Sequence, residues 1–311
     1  MFWLTAGVLA SLPAAAVADS CKLVQAASIN LTRADNDIAV FPVTIGGKEL
    51  RFALNTGSVV SFITTRAAPT GYRSTSVAGI YVSGRESSMG AIIPTMSMGG
   101  LVGTDQLFVL VTKRETIGGT SGEIGLDKLE GYDVEIDLAH DKLNLFKPDH
   151  CKGQVVYWTD TAAAIPFQIQ PDGQINIPME LDGKTVNVLL DTTKPTSEIS
   201  FAAVHRLFGA TRGDLRAAAD EEYGDYRRSF HTLNVGGLAI SNPDIAIYDY
   251  GDNEAICDGK FHVPPHSPHY PVPYRCYGGG DMRIGLKQLR ALRLFVDFSE
   301  KMLYVTPADA H

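Results

Sequence analysis

The sequence has no excess of basic residues. Its 311 residues contain 27 Lys and Arg against 35 Asp and Glu, which gives a formal net charge of −8. Proteins that bind phosphate backbones use clustered Lys and Arg, and no such cluster stands out here. We therefore expect no nucleic-acid partner, and we read the acidic surface as one that keeps the protein soluble.

Long hydrophobic runs are also missing beyond the amino terminus. An apolar segment runs from Phe2 to Leu12 and is followed by Pro13 and the small residues Ala16-Val17-Ala18. This order matches the core and cleavage site of a secretory signal peptide, although no Lys or Arg precedes the core. We predict a signal peptide over residues 1–18 and a periplasmic or secreted protein; the alternative is a buried first helix. No later run approaches the roughly 20 residues of a membrane-spanning helix, so we expect no stable membrane anchor.

Cysteine is scarce, with four residues in the whole chain. An even number in an exported protein favours disulfides, for which four cysteines allow three connectivities. Cys21 precedes the first structured region and Cys151 follows it, whereas Cys257 and Cys276 flank one loop rich in Pro and His. We therefore predict the pairs Cys21–Cys151 and Cys257–Cys276.

Long helical periods are few, and the chain is organised instead by an internal repeat. In the first copy, Ile45-Gly46-Gly47-Lys48 leads through an apolar strand to Asn55-Thr56-Gly57. In the second copy, Leu181-Asp182-Gly183-Lys184 leads through a similar strand to Asp191-Thr192-Thr193. Both copies predict a strand, a tight turn, a second strand and then a loop that carries a polar triplet.

The two copies continue to match downstream. A Gly-Gly turn at Met98–Leu101 corresponds to one at Val235–Leu238, and Ile124-Gly125-Leu126 corresponds to Ile284-Gly285-Leu286. The spacing between the last two motifs is longer in the second copy because of an insertion at 252–280. These short alternating strands predict an all-β protein with two homologous β-barrel-like lobes, residues 28–148 and 160–308, and a cleft between them.

These motifs resemble those of the aspartic proteases, in the bilobal pepsin-like or tandem retropepsin-like arrangement. The family pattern is two hydrophobic residues followed by Asp-Thr/Ser-Gly in each lobe, with a later hydrophobic-hydrophobic-Gly segment. The triplets at 55–57 and 191–193 occupy the first position, and Glu123-Ile124-Gly125 and Arg283-Ile284-Gly285 occupy the second. The resemblance implies that Thr56 and Thr192 form hydrogen bonds between the two lobes.

The resemblance also shows what this chain has lost. In the family, two close carboxylates share one proton, and one of them activates water while the other polarises the peptide carbonyl. Here Asp191 is present, but Asn55 replaces the first acid, and an amide cannot accept a proton from water at neutral pH. Thr193 stands where the family has Gly, although Gly57 is retained. A β-branched residue is disfavoured where a loop needs positive φ or close backbone approach, so we expect a second defect at Thr193.

Two further segments are candidate functional sites. Residues 80–90 fall where a family flap covers the cleft, and Tyr81 is the candidate for substrate contact; the alternative is a packed aromatic side chain. His262, His266 and His269 lie in the Pro-rich insertion. Imidazoles suit Zn or Cu, but the prolines favour an extended solvated loop, so we predict no metal and no cofactor.

The sequence thus favours an exported protein of the aspartic-protease fold that has lost or nearly lost peptidase activity. We expect it to be a monomer that binds a peptide or protein in its cleft. An active aspartic endopeptidase that uses Asp191 remains an alternative, as does an envelope scaffold with no ligand in the cleft. Asn55 and Asp191 can also serve simply as loop-forming residues, since both types favour turns.

Overall fold

The protein is predominantly β, as the alternating sequence pattern predicts, with one closed β-barrel and one half-barrel. The structure, a computed structural model, describes residues 22–82, 85–111, 117–170, 173–217, 226–249 and 280–310, without the side chains of 78–88. The proposed signal peptide, Cys21, Cys257, Cys276 and the three histidines of the insertion lie outside the described residues. Cys151 is disulfide-bonded, but since its partner is not described, both predicted pairings stay predictions.

The described strands and helices, in chain order, are β1 Gln25–Asn30, β2 Thr32–Arg33, β3 Ala39–Ile45, β4 Lys48–Leu54, β5 Phe62–Thr64, β6 Arg73–Val82, β7 Arg85–Met98, β8 Leu101–Val111, β9 Gly122–Ile124, β10 Asp133–Asp137, β11 Lys142–Phe146, β12 Ala163–Pro166, β13 Gln168–Ile169, β14 Ile175–Leu181, β15 Lys184–Leu190, β16 Ser197–Ser200, α1 Phe201–Phe208, β17 Arg216–Ala217, β18 Tyr226–Arg227, β19 Thr232–Val235, β20 Leu238–Ser241, β21 Ile245–Tyr248, β22 Met282–Ile284, α2 Leu286–Leu289, β23 Leu292–Asp297 and β24 Met302–Pro307. Among these residues, no helix is long and apolar enough to cross a membrane.

The repeated Gly-containing turns form the predicted hairpins. They join β3 to β4, β7 to β8, β14 to β15 and β19 to β20. Both central residues of each turn have positive φ, for example Gly46 at 55° and Gly47 at 81°. Two-residue turns of this kind match the right-handed twist of the strands they connect. Asp182 takes the first position of one turn, where an Asp tolerates the left-handed conformation.

Each copy of the repeat builds its own sheet. The first copy forms an eight-stranded sheet in the order β2-β3-β4-β9-β5-β8-β7-β6. The second copy forms a ten-stranded sheet that contains β17-β18-β21-β16-β22-β15-β14-β19-β20, with β13 paired to β14. In each copy the strand before the polar triplet runs parallel to the strand of the Ile-Gly-Leu motif: β4 pairs with β9, and β15 pairs with β22.

A third sheet joins the two lobes. Its order is β1-β11-β10-β23-β24-β12, so three strands come from each half of the chain. The halves meet where β10 pairs antiparallel with β23. The lobes therefore contact each other through the closing hairpin of each copy.

The core is continuous across both lobes and the shared sheet. Apolar residues on alternate positions of the strands face inward, and the largest fully buried side chains include Phe41, Phe52, Phe108, Phe230 and Phe295. Burial on this scale keeps β4 and β15 rigid, so the loops that carry the polar triplets start from fixed positions.

Candidate functional site

Equivalent elements position the two polar triplets. Asn55 follows β4, and its backbone N–H donates to the carbonyl of Ile124 at 2.9 Å. Asp191 follows β15, and its N–H donates to the carbonyl of Ile284 at 3.0 Å. The Ile-Gly-Leu motif of each lobe therefore anchors the triplet of the same lobe.

Thr56 and Thr192 join the two loops across the lobe boundary. The Thr56 hydroxyl donates to the carbonyl of Leu190 at 2.8 Å, and the Thr192 hydroxyl donates to the carbonyl of Leu54 at 2.6 Å. Each hydroxyl oxygen also accepts the backbone N–H of the other threonine, at 3.1 and 3.2 Å. These four bonds make the reciprocal contact that the resemblance implies, and they fix the two triplets relative to each other.

We expect Thr192→Val to lower the free energy of unfolding by about 2 kcal/mol, because valine keeps the shape but leaves the Leu54 carbonyl and the Thr56 N–H without this partner. Thr192 is buried. Chemical denaturation of the purified protein measures the loss. The matched control is Thr95→Val, at an exposed position of β7, which should change little. Equal effects of the two substitutions would contradict a structural role for the cross-lobe hydroxyls.

Gly57 lies against the carboxylate of Asp191. A Cβ atom built on Gly57 would lie 2.5 Å from Cγ of Asp191 and 2.6 Å from its Oδ2. Gly57 is not among the residues with positive φ. The glycine is therefore required by the close approach of the two lobes and not by its backbone conformation.

Asn55 is turned towards its own lobe. Its side-chain Nδ2 donates to Oε2 of Glu123 at 2.6 Å, and both residues are buried, with Asn55 7% exposed and Glu123 4%. The second oxygen of Glu123 accepts the N–H of Ile117 at 3.2 Å. The Nδ2 of Asn55 therefore already donates a hydrogen bond to a buried carboxyl group.

The environment of Glu123 favours its neutral form more than water does. Burial, the largest effect, raises the pKa of the Glu123 carboxyl, and the nearby charge of Asp191 raises it further. The hydrogen bonds from Asn55 and Ile117 oppose this shift, but the net direction is upward. A second acidic side chain therefore belongs to this site, and the sequence marks it only as part of the Glu123-Ile124-Gly125 motif.

Asp191 has partners on both carboxylate oxygens. Its Oδ1 accepts the backbone N–H of Thr193 at 3.0 Å and the Thr193 hydroxyl at 2.6 Å. Its Oδ2 accepts from a guanidinium nitrogen of Arg283 at 3.1 Å. The carboxylate is 2% exposed, so the ion pair with Arg283 is what balances its charge inside the protein.

Arg283 connects Asp191 to a second buried acid. Its Nε lies 3.6 Å from Oε1 of Glu198, which faces it across the pairing of β16 with β22. Lys194 also contacts Glu198, at 2.9 Å. Two basic and two acidic side chains therefore form one charge-balanced network next to the triplet of the second lobe.

The structure differs from the sequence expectation at Thr193. This residue is not among those with positive φ, and it fits without the backbone strain that we expected. Its backbone N–H and its hydroxyl both donate to Oδ1 of Asp191.

The predicted flap is a hairpin of β6 and β7, in which Tyr81 is paired with Glu86. The Tyr81 side chain lies outside the described part of the chain. Its substrate contact stays a prediction.

The roles of Glu123 and Arg283 are not evident from the sequence motifs alone. Both residues directly precede Ile-Gly in the repeated motif, where the family pattern has a hydrophobic residue. A charged residue at that position in both copies, with opposite signs, was the available signal. Only the parallel pairing of β9 with β4 and of β22 with β15 brings these side chains to positions 55 and 191.

Comparison with known proteins supports the fold. No protein-family model and no curated protein sequence matches the chain. Among solved structures, the chain is similar to basic 7S globulin from soybean, with 8% sequence identity and a TM-score of 0.53. The alignment covers 93% of this chain and 96% of that one, and the soybean protein has a pepsin-like fold. This chain has a pepsin-like fold. At such low identity the likeness concerns the fold alone, and the pepsin-like lobes account for the duplicated triplets and their cross-lobe hydrogen bonds.

Proposed function

We propose that this pepsin-like protein lacks peptidase activity and binds a peptide or protein segment in the cleft between its lobes. The observation that carries the first half is the ion pair of Arg283 with Asp191. Catalysis by this fold needs a proton shared between two carboxyl groups and a water held between them. Here the remaining carboxylate is neutralised by a guanidinium, and the opposite position is an amide that donates to Glu123.

The local geometry also argues against catalysis by Asp191 alone. Both of its oxygens already accept hydrogen bonds from within its own lobe. A general base must have a free lone pair within hydrogen-bonding distance of the attacking water. Activity would therefore have to use the one lone pair that Arg283 leaves free on Oδ2, beside a guanidinium that already neutralises the carboxylate.

The binding half of the proposal rests on what the chain retains. The cross-lobe bonds of Thr56 and Thr192 and the hairpin of β6 and β7 persist although the acid pair is gone. These features define the cleft of a pepsin-like protein, and an extended peptide suits such a cleft because it can add main-chain hydrogen bonds to exposed strand edges. Export, suggested by residues 1–18, would place the binding outside the cytoplasm.

Peptidase activity is tested with a mixed peptide library between pH 3 and pH 7. We expect no cleavage by the purified protein. The informative partner is a triple variant, Asn55→Asp with Glu123→Ile and Arg283→Ile, which restores the acid and removes both charged partners. Cleavage by the triple variant alone would support the proposal. Cleavage by the unmodified protein that is lost in Asp191→Asn would refute it.

Binding is tested by selecting peptides from a random phage-displayed library on the purified protein. Selected synthetic peptides are then added during amide hydrogen exchange. We expect protection in β6 and β7 and in the loops at 55–57 and 191–193. Failure to select any peptide, or protection confined to another surface, would contradict cleft binding.

A further inference from the structure

The strand pair of β10 and β23, which joins the two lobes, has a different arrangement of charged side chains at each of its ends. Along the pairing of β10 with β23, Asp137 lies opposite Arg293, and the next pair beyond Val134 and Val296 is Asp133 and Asp297. Asp137 and Asp297 are equivalent in the repeat, because each begins the turn of its hairpin and accepts the backbone N–H of the residue three positions later. Position 133, four residues before Asp137, is therefore equivalent to position 293, four residues before Asp297. One end therefore has an acid facing a base, whereas the other has two acids facing each other.

His150 lies between the two acids. Its Nε2 is 2.7 Å from Oδ2 of Asp133 and 3.4 Å from Oδ2 of Asp297. The three side chains are buried, with exposures of 1% for His150 and 0% for each aspartate. Like charges directly opposite each other in a sheet destabilise it, so a positive group is needed between Asp133 and Asp297.

The hydrogen bonds around the cluster define where that charge resides. The Nδ1 of His150 is 3.0 Å from the carbonyl of Cys151, which can only accept, so Nδ1 carries a hydrogen. The Oδ1 of Asp133 accepts the N–H of Phe298, and the Oδ1 of Asp297 accepts from Ser299 and Glu300. Both Oδ2 atoms are thereby directed at Nε2, and a short contact between Nε2 and a carboxylate requires a hydrogen on Nε2 as well.

We propose that His150 is a doubly protonated imidazolium that holds the two lobes together across Asp133 and Asp297, so that the lobe junction weakens as pH rises. It takes the place that a guanidinium takes at the opposite end of the same strand pair. Two further titratable groups interact with Asp297: Glu300, in the turn after β23, donates its backbone N–H to Asp297, and Tyr304 on β24 is affected by the charge of Asp297. Glu300 is bonded to the N–H of Gly153 and to the Tyr304 hydroxyl.

The direction of the pH dependence follows from the pKa shifts of His150 and Asp133. Burial, the largest effect, lowers the pKa of His150, but its bond to the Cys151 carbonyl and the two aspartates outweigh it, and the net direction is upward. Burial, together with the Asp297 charge, raises the pKa of Asp133 to about 6. Both groups bind protons more tightly in the folded protein than in the unfolded chain. Their stabilising contribution is present at acid pH and is lost as pH rises through these values.

The protonation state is measured directly by NMR of protein labelled with ¹⁵N-histidine. At pH 7 we expect both nitrogens of His150 to show the chemical shifts of protonated nitrogen, with assignment by loss of the signal in His150→Asn. An unprotonated Nε2 at pH 7 overturns the proposal. This includes the case in which Nε2 binds a divalent metal ion that copurifies in equimolar amount and is removed by EDTA.

The effect on the junction is measured as the change in Tm between pH 5.5 and pH 8.5. We expect Asp133→Asn to reduce the fall in Tm seen in the unmodified protein, because one of the two opposed charges is gone while Oδ1 can still accept from Phe298. The matched control is His140→Asn, which removes a more exposed histidine paired with Asp137 and should leave the fall unchanged. An unchanged fall in Asp133→Asn contradicts the proposal, and if that variant does not fold, the NMR measurement still decides.

Discussion

Replacing Gly57 with alanine is expected to lower the free energy of unfolding by about 3 kcal/mol, at the upper end of what overpacking of a protein interior costs. The added Cβ would lie 2.5 Å from Cγ of Asp191, well inside van der Waals contact. Asp191 cannot move away cheaply, because Thr193 and Arg283 hold its two oxygens. The strain must therefore open the contact between the two lobes.

The control for this experiment is Gly131→Ala. A Cβ built on Gly131 meets no atom within 4 Å, and its φ is not positive, so alanine should be neutral or slightly stabilising there. Denaturant titration of the two variants measures the difference. If Gly57→Ala is as stable as Gly131→Ala, the Asp191 carboxylate does not lie on Gly57 in solution, and the two triplets are not in contact.

Replacing Arg283 with methionine is expected to cost about 3 to 4 kcal/mol at neutral pH, because it removes one partner of a buried ion pair and leaves an uncompensated charge. Asp191 loses the donor to its Oδ2, and Glu198 loses one of its two basic neighbours. The loss should be smaller at pH 4, where protonation can remove the charge of an unpaired carboxylate. Urea titrations at pH 4 and pH 7 measure both effects.

Two variants decide whether this loss comes from the charge. Adding Asp191→Asn to Arg283→Met should restore part of the stability, because the unpaired acid is removed together with its base. Arg73→Met breaks an ion pair with Asp105 whose side chains are 66% and 67% exposed, so it should cost no more than about 0.5 kcal/mol. If Arg283→Met costs no more than Arg73→Met, Asp191 is not neutralised by Arg283, and the main support for an inactive site is removed.

Gly57 and Arg283 bear on function in different ways. The Gly57→Ala variant tests whether the lobes approach each other as they do in a pepsin-like protein. The Arg283→Met variant tests whether the Asp191 carboxylate forms a structural ion pair with Arg283. A protein in which both hold has the architecture of an aspartic protease with its carboxylate chemistry blocked, which is the state that the proposed binding function requires.

Some features were readable from sequence because they depend on local chemistry. The Gly-containing turns predicted hairpins since few other residues adopt positive φ at two consecutive positions. The duplicated motifs located Asn55 opposite Asp191, because equivalent positions in two lobes can be aligned without coordinates. The expectation of backbone strain at Thr193 was wrong, because residue 193 does not adopt the positive φ that would exclude a β-branched side chain.

The sequence by itself determined the all-β character, the two related lobes and the amide at the position equivalent to Asp191, because hydrophobic alternation, turn residues and residue identity are local properties. Only the tertiary structure decided which side chains neutralise the site. The partners of Asn55 and Asp191 are Glu123 and Arg283, which lie far along the chain and are brought close by parallel strand pairing. Likewise, Asp133 and Asp297 come together with His150 only because strands from both lobes share one sheet. Ion pairs of this kind depend on distances in space, which the order of residues does not specify.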